Sequence, residues 1–175
     1  MTIVHLALGS NLGDRGANLE VAIHALAARV WIDDLSAVYE TAPMYVTDQP
    51  AFLNMAIRGR TDLAPIDLLR FVKRVEASLG RAGDGQRFGP RPIDVDILLY
   101  GDSQVALPEL EIPHPRLAER AFVLRPLADL GPQLRHPVLD RSVEELLAAV
   151  PGKDTVRLHA ARLNGLASAP LAQAV

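Results

Sequence analysis

The order of strand-like and helix-like patterns along the chain constrains its fold more than any other feature. Runs of apolar and alternating residues predict four strands, and apolar residues at helical spacing predict two helices. The strands are predicted over 2–8, 35–41, 52–58 and 93–100, and the helices over 19–30 and 65–79. This β-α-β-β-α-β order is typical of ferredoxin-like α+β domains, which are layered sandwiches of sheet and helices.

Further segments are predicted to decorate this core. We expect an extra helix over 121–130, and a capping box at 142–145 that opens another short helix. Residues 108–115 are punctuated by proline and are predicted as a loop. Residues 160–175 lack firm periodicity and are predicted as a flexible tail, so the folded part is predicted as a single domain over residues 1–159.

The composition narrows the classes of function. The chain of 175 residues has no cysteine, which excludes disulfides, thiol nucleophiles and cysteine-bound metals and leaves oxygen or imidazole ligands for any metal. A formal net charge of −3 would repel a polyanion, so nucleic acid is not expected as a partner. No stretch approaches the roughly 18 apolar residues that span a bilayer, and no signal-peptide pattern opens the chain. We therefore predict a cytoplasmic protein without a membrane partner, and we also expect a monomer.

The strongest chemical signal is a pair of carboxylates in the last predicted strand. Asp94 and Asp96 are two residues apart, so they point to the same face of a strand, with Cα atoms roughly 6–7 Å apart. Such carboxylates repel each other by about 1 kcal/mol at 4 Å in water, and divalent cations remove this conflict. Two Mg²⁺ ions about 3.5–4 Å apart fit the spacing. The alternative, which the sequence leaves open, is ion pairing of the carboxylates with Arg91.

Arginines cluster on both sides of this acidic pair. Only Lys73 and Lys153 of the 18 cationic side chains are lysines, and the guanidinium group binds phosphate in a bidentate manner. Taken singly, each arginine would be a solvated charge or an ion-pair partner, but the clustering favours a wall that binds a small phosphorylated ligand. Neither a P-loop nor a Gly-x-Gly-x-x-Gly motif is present. The clustered arginines are Arg81, Arg87, Arg91, Arg116, Arg120 and Arg125.

Other residues suggest a site for a flat heterocycle. Phe52 and Asn54 alternate onto one strand face, so a ring that stacks and a carboxamide that bonds the ligand's edge could meet the same molecule, with Phe122 as a second ring. His114 lies between two prolines and is a candidate phosphate contact. The alternatives are core positions for the phenylalanines and partial solvation for the histidine.

Five segments carry a resemblance to a known family. They are 9–14 (GSNLGD), 40–43 (ETAP), 52–54 (FLN), 87–98 (RFGPRPIDVDIL) and 113–124 (PHPRLAERAFVL). In order and spacing they resemble the 6-hydroxymethyl-7,8-dihydropterin pyrophosphokinases of folate biosynthesis, over residues 3–150. The Arg-Phe-Gly-Pro-Arg-x-x-Asp-x-Asp block is specific to that family, whereas the glycine turn or the Phe-Leu-Asn segment alone would mean little.

The resemblance implies a ferredoxin-like enzyme that transfers the terminal diphosphate of ATP to the pterin hydroxymethyl group and releases AMP. Its small-molecule partners would be ATP and hydroxymethyl-dihydropterin, and its cofactor two Mg²⁺ ions. By position, the resemblance implies catalytic roles for Arg81, Arg91, Asp94 and Asp96, with both aspartates as metal ligands. It implies pterin contacts from Thr41, Pro43, Met44, Phe52, Asn54 and Phe122. It implies ATP contacts from Glu76, Arg87, Ile97, His114, Arg116 and Arg120.

The chain departs from the family pattern in two places. Tyr45 stands two residues after Pro43, where members often have glycine, which predicts a different pterin loop. Residues 82–86 lack a further arginine that some members carry, so fewer guanidiniums can reach the phosphates. Gly83 and Gly85 in the same loop favour a lid that closes over ATP, with an ordinary connector as the alternative.

Two other classes of function stay open at this stage. Ferredoxin-like domains also serve as non-catalytic ligand sensors, which do not need paired metal carboxylates. A two-metal phosphohydrolase would use the same acidic pair but would release phosphate without any pterin.

Overall fold

The computed structural model describes residues 1–43, 47–80 and 90–163. Its strands are β1 (Thr2–Ser10), β2 (Trp31–Leu35), β3 (Val38–Thr41), β4 (Phe52–Thr61), β5 (Asp94–Tyr100), β6 (Val105–Leu107), β7 (Leu110–Ile112) and β8 (Arg157–Ala160). Its helices are α1 (Arg15–Leu26), α2 (Pro65–Ser78), α3 (Ala121–Leu130) and α4 (Val143–Ala149).

The main sheet has the order β5-β1-β4-β3-β8, with β2 also paired to β4, and all these pairs are antiparallel. The predicted ferredoxin-like α+β fold is confirmed, because the first and last predicted strands are neighbours and the two helices connect strands that are not adjacent. The predicted strand over 35–41 is in fact two strands. Asp33 and Asp34 lie in β2, where Arg60 and Arg58 pair with them at 2.8 and 3.6 Å.

Alternating side chains of the sheet supply two hydrophobic cores. Even-numbered residues of β1, such as Leu6 and Leu8, are buried against α1 and α2. The opposite face carries α3 and α4, whose core includes Leu124 and Leu127. Odd-numbered residues of β1 face the α3 side of the sheet. Polar residues on neighbouring strands can therefore lie on this side without being buried in the core against α1 and α2.

The predicted helices are present, but α1 spans Arg15–Leu26 rather than the predicted 19–30, so it begins and ends earlier in the chain. Asp14 caps α1 by accepting a hydrogen bond from the Ala17 N–H at 3.0 Å. Proline occupies the first turn of α2, where its missing N–H costs nothing. Helix α3 spans the predicted residues, and the Ser142–Glu145 capping box opens α4 as predicted.

Two terminal or loop segments are more ordered than the sequence indicates. The predicted loop over 108–115 contains β7, which pairs with β6 in a hairpin, and the Ile112–Pro113 peptide bond that follows is cis. Strand β8 pairs with β3, and Leu163 is buried in the core beside α1 and α2. Ordered structure therefore continues past the predicted boundary at residue 159, and residues 164–175 of the predicted tail lie outside the described part. In the described ranges, no helix has the length and apolar character needed to cross a membrane.

Candidate active site

A cleft of about 280 Å³ opens on the α3 face of the sheet. Four strands (β1, β3, β4 and β5), helix α3 and the loops around them contribute to it, together with one residue from α2. Its polar and aromatic lining residues include Thr41, Gln49, Phe52, Asn54, Lys73, Arg91, Asp94, Asp96, His114, Arg120 and Phe122.

Strand register brings the predicted residues together. Gly9 of β1 lies opposite Asn54 of β4 on one side and opposite Asp94 of β5 on the other, and Ala7 lies opposite Asp96. These residues therefore form rows that face the same side of the sheet. The central positions of the rows are small, and a Cβ on Gly9 would lie 3.1 Å from the Asn54 Oδ1 and would project into the cleft. The cleft thus exists because β1 carries glycine and alanine between the acids and the amide.

The two aspartates are partly exposed to the cleft. Their side chains are 28% and 32% exposed for Asp94 and Asp96. The Arg91 Nη1 lies 3.4 Å from the Asp94 Oδ1, and the His114 Nε2 lies 3.9 Å from the Asp96 Oδ2. The alternative of an ion pair with Arg91 is therefore present for one carboxylate, at a long distance.

The donor set of the cleft fits a hard divalent cation. Two carboxylates on one face supply the oxygen ligands that Mg²⁺ prefers. Within residues 1–43, 47–80 and 90–163, no group of three or more His, Cys, Asp or Glu side chains could hold a metal. A cation held by Asp94 and Asp96 would thus take its remaining ligands from a substrate and from water, as is usual for Mg²⁺ bound with phosphates.

His114 is held by backbone hydrogen bonds. Its N–H donates to the Leu98 carbonyl at 3.0 Å, and its ring Nδ1 accepts from the Arg116 N–H at 3.1 Å. Burial, with Arg120 as the next cause, lowers the pKa of His114 to about 4. The ring is therefore neutral at physiological pH with its proton on Nε2, where it can donate to an anionic ligand.

Arg120 has a buried donor without a partner at the wall of the cleft. Its guanidinium lies 5.6 Å from the centre of the Phe122 ring, and both side chains line the cleft. Its Nε is the one buried side-chain nitrogen or oxygen of the described residues that lacks a hydrogen-bond partner. A buried donor in this state costs free energy unless a ligand accepts from it.

The aromatic end of the cleft has a polar edge. Phe52 approaches from the sheet and Phe122 from α3. The Asn54 Nδ2 donates to the Thr41 Oγ1 at 2.7 Å, and both residues are buried. The Thr41 hydroxyl can then donate a hydrogen bond to a flat ligand, and the amide oxygen of Asn54 can accept one from the same ligand.

Several predicted residues are placed away from the cleft lining. Ile97 is 5% exposed and lies in the core beside α1 and α2, and Glu76 on α2 is 2% exposed. Arg116 pairs with Glu119 at 3.2 Å, and Arg125 pairs with Asp129 at 3.6 Å and stacks on Tyr39. Pro43 lies beside the lining residue Ala42 but does not line the cleft itself. Met44, Tyr45, Arg81, Arg87 and the loop 82–86 lie outside the described residues.

Sequence reasoning missed two residues at the cleft, of which Asn11 links the loops around it. Asn11 is fully buried, its Nδ2 donates to the Gln49 Oε1 at 2.9 Å, and its Oδ1 accepts from the Arg91 N–H at 2.9 Å. It therefore joins the segment before β4 to the segment before β5. The signal available was a carboxamide directly after an apolar strand, which also occurs in ordinary turns. Lys73 was missed as well.

These features define a class of protein: a ferredoxin-like α+β domain whose cleft combines an aromatic, amide-edged end with paired carboxylates and basic side chains. Comparison with known proteins narrows this class to a family. The sequence model of the 7,8-dihydro-6-hydroxymethylpterin-pyrophosphokinase (HPPK) family matches residues 5–132, and the chain belongs to this family.

Individual relatives agree with this assignment. The chain is 42% identical over 160 residues to the 2-amino-4-hydroxy-6-hydroxymethyldihydropteridine pyrophosphokinase of Pseudomonas aeruginosa, covering 90% of this chain and 98% of that protein. It is 50% identical over 128 residues to the mitochondrial folate synthesis bifunctional protein of Arabidopsis thaliana, covering 73% of this chain but 23% of that protein. The chain thus spans about a quarter of the length of such bifunctional relatives.

A solved structure shares the fold. The crystal structure of Plasmodium falciparum HPPK-DHPS with pteroate matches with a TM-score of 0.70 and 19% identity, covering 84% of this chain and 42% of that one. This match concerns the fold, because the identity is low.

Proposed function

We propose that this protein transfers the diphosphate of ATP to the hydroxymethyl group of 6-hydroxymethyl-7,8-dihydropterin, giving the pterin diphosphate and AMP, in folate biosynthesis. The observation that carries the proposal is that one cleft is lined both by Phe52, Asn54 and Phe122 and by Asp94 and Asp96. A flat ring at the aromatic end would have its substituent close to a nucleotide bound at the acidic end. Membership in the HPPK family supports the same reaction.

Asp94 and Asp96 are the residues that would hold magnesium, and two ions fit two carboxylates with a polyphosphate. When bound, Mg²⁺ neutralises charge on phosphate oxygens and fixes their orientation. Arg91 lies beside Asp94, and this position supports the proposal that it neutralises charge at the same phosphates. The predicted catalytic role of Arg81 belongs to the same proposal.

The remaining groups orient the two substrates. The hydroxymethyl oxygen forms a bond to the β-phosphorus and loses its proton to solvent, while the bond from that phosphorus to the α,β-bridging oxygen breaks and AMP leaves with that oxygen. His114 donates from Nε2, and Arg120 from Nε, to phosphate oxygens. Thr41 and Asn54 hold the polar edge of the pterin. Such positioning lowers the barrier without a covalent nucleophile.

A product assay distinguishes this function from its rivals. The protein is mixed with Mg²⁺ and ATP, with and without hydroxymethyl-dihydropterin, and nucleotides are separated by chromatography. AMP that forms only with the pterin supports the proposal. Phosphate release without the pterin would indicate a phosphohydrolase, and absence of any product would indicate a binding module.

Two properties of the whole protein stay predictions. We predicted a cytoplasmic location, and relatives named as mitochondrial proteins occur in plants. The predicted monomeric state is measurable by light scattering on the purified protein.

A further inference from the structure

We infer that Asn11 is a positioning residue whose carboxamide fixes the separation between the two ends of the cleft, and with it the alignment of the pterin hydroxymethyl group and the phosphate that it attacks. The inference rests on the proposed function and gives a role to the turn after β1, to which the proposed reaction assigns no contact. Three observations support it: the place of Asn11 at the end of the sheet, its hydrogen bonds to two segments, and a second anchor from the same turn.

Asn11 lies directly after β1, where the pairing of the central strands ends. Strands β4 and β5, which flank β1, begin at Phe52 and Asp94, so the residues before them are not fixed by strand pairing. Two of these residues, Gln49 and Arg91, line the cleft. Their separation therefore depends on contacts outside the sheet.

A single side chain bridges these two segments. The Asn11 Nδ2 donates to the Gln49 Oε1 at 2.9 Å and to the Pro50 carbonyl at 3.2 Å, next to the aromatic end of the cleft. Its Oδ1 accepts from the Arg91 N–H at 2.9 Å, and its own N–H donates to the Arg91 carbonyl at 3.2 Å. Asn11 thus holds both backbone polar groups of Arg91, whose guanidinium lies beside Asp94 at the acidic end.

This bridge requires the chemistry of a carboxamide. A carboxamide has two N–H donors and one oxygen acceptor, and Asn11 directs its donors to one segment and its acceptor to the other. The residue is fully buried, so losing these bonds leaves buried polar groups without partners. Aspartate at this position would keep an acceptor for the Arg91 N–H but would lose both donors.

The same turn anchors the aromatic end a second time. Arg15, the first residue of α1, donates from Nη1 to the Ala51 carbonyl at 2.8 Å and pairs with Glu40 at 2.8 Å. Residues 49–51, which directly precede β4, are therefore all held from this turn. Because Asn11 also makes both backbone hydrogen bonds to Arg91, it is the residue that joins the two ends.

Loss of the bridge should affect alignment more than binding. Asn54 lies in β4 and the two aspartates lie in β5, so each end keeps these groups when the bridge is cut. A misplacement of about 1 Å can lower a rate by about a hundredfold. We expect Asn11→Ala to lower kcat about a hundredfold, with both KM values within threefold of the wild type and one pterin bound per chain by calorimetry. A residue that only stabilised the fold would instead lower the bound fraction or weaken the binding of both substrates.

Asn18 provides a matched control in the same turn. Its Nδ2 donates to the Leu12 carbonyl at 2.8 Å and to the Ser10 Oγ at 3.3 Å, so its carboxamide supports the turn itself. We expect Asn18→Ala to keep the kcat and KM values of the wild type. A wild-type kcat in folded Asn11→Ala, or an equal loss of kcat in Asn18→Ala, would overturn the inference.

A second variant cuts the bridge from its other side. Gln49 is only partly buried, so Gln49→Met tests the bridge even where Asn11→Ala does not fold. We expect it to lower kcat at least fivefold, less than Asn11→Ala, because Asn11 still donates to the Pro50 carbonyl. A wild-type kcat in Gln49→Met would contradict the bridge.

Paramagnetic relaxation measures the separation of the two ends directly. Mn²⁺ takes the same kinds of oxygen ligand as Mg²⁺, and its effect on the protons of bound pterin gives the distance from metal to pterin in the complex with a nonhydrolysable ATP analogue. We expect this distance to change by about 1 Å in Asn11→Ala and to match the wild type in Asn18→Ala. An unchanged distance in folded Asn11→Ala would overturn the positioning role.

The outcomes separate this inference from the proposed function. A wild-type protein that forms AMP with the pterin, together with a wild-type kcat in Asn11→Ala, would overturn only the role of Asn11. A changed metal-to-pterin distance in Asn11→Ala, together with a wild-type protein that forms no AMP, would overturn only the proposed reaction. A wild-type protein that binds no pterin would overturn both.

Discussion

The charged contacts around the acidic pair are long. Arg91 lies 3.4 Å from Asp94, and His114 lies 3.9 Å from Asp96, between side chains that are 19% to 32% exposed. The Arg91–Asp94 ion pair is of a kind that contributes about 0–1 kcal/mol, and the neutral ring of His114 forms no ion pair with Asp96. Exchanging them for a cation and phosphate oxygens therefore costs little, and the same residues can serve the substrate once it arrives.

We predict that Asp96→Ala lowers kcat by roughly three orders of magnitude, because it removes half of the metal-binding carboxylates. Steady-state AMP formation measures the effect, and circular dichroism checks the fold. Asp102→Ala, which removes an exposed carboxylate just after β5, is the control and should retain normal turnover. Near-normal activity of folded Asp96→Ala would remove the metal-pair argument.

The rows of residues that cross β4, β1 and β5 determine where ligands can bind on the sheet. Gly9 is the central position of one row, between Asn54 and Asp94. Because β1 is a central strand, a larger side chain at Gly9 would project between the two ends of the cleft and separate them.

Gly9→Val tests this role of β1. The first added carbon would lie 3.1 Å from the Asn54 Oδ1 and 3.6 Å from the Phe52 ring, so we expect the KM for the pterin to rise at least tenfold. Gly16→Val in the first turn of α1 is the control, because its Cβ would approach only the Asp14 Oδ1, at 3.8 Å. An unchanged KM in folded Gly9→Val would show that ligands do not bind across this row.

Gly59 tests the pairing of β2 with β4. A Cβ at this position would lie 2.7 Å from the Trp31 carbonyl oxygen and from the Val30 Cγ1. We expect Gly59→Ala to lower the free energy of unfolding by about 1–3 kcal/mol through this overpacking, measured by urea denaturation. Gly16→Ala, in a helix with open space, should be neutral or stabilising. Equal stabilities of the two variants would contradict the observed packing.

The stability of the whole molecule also depends on titratable side chains that are buried in the sheet, away from the cleft. His5 of β1 is 5% exposed and lies opposite Arg58 of β4. Burial, followed by the charge of Arg58, lowers the pKa of His5 to about 4. Protonation of His5 therefore favours the unfolded protein.

We expect the free energy of unfolding to decrease as the pH is lowered, because of His5. Above pH 6.5 the ring is neutral in both states and has no effect. As pH falls below that value the unfolded state binds the proton first, and the loss reaches about 3 kcal/mol near pH 4. Urea denaturation at several pH values should show a shallower acid slope for His5→Asn than for the wild type, whereas exposed His159→Asn should match the wild type. Identical slopes for His5→Asn and the wild type would contradict this.

Much of the fold followed from local patterns. The period of apolar residues indicated α2, the capping box indicated α4, and the two-residue spacing placed Asp94 and Asp96 on one face. The β6–β7 hairpin and strand β8 were not predicted, because short strands with exposed residues have almost no periodic signal and form only where a partner is present.

The order of the elements, their caps and the family motif could be predicted from the amino-acid sequence, because these features depend on neighbours along the chain. Packing between distant segments places Gly9 between Asn54 and Asp94, keeps the ring of His114 neutral through burial, and brings Lys73 of α2 to the same cleft. Those features depend on register and packing between segments distant in sequence. A strand carries the same residues in any register, and pairing with its neighbours selects which of them face each other.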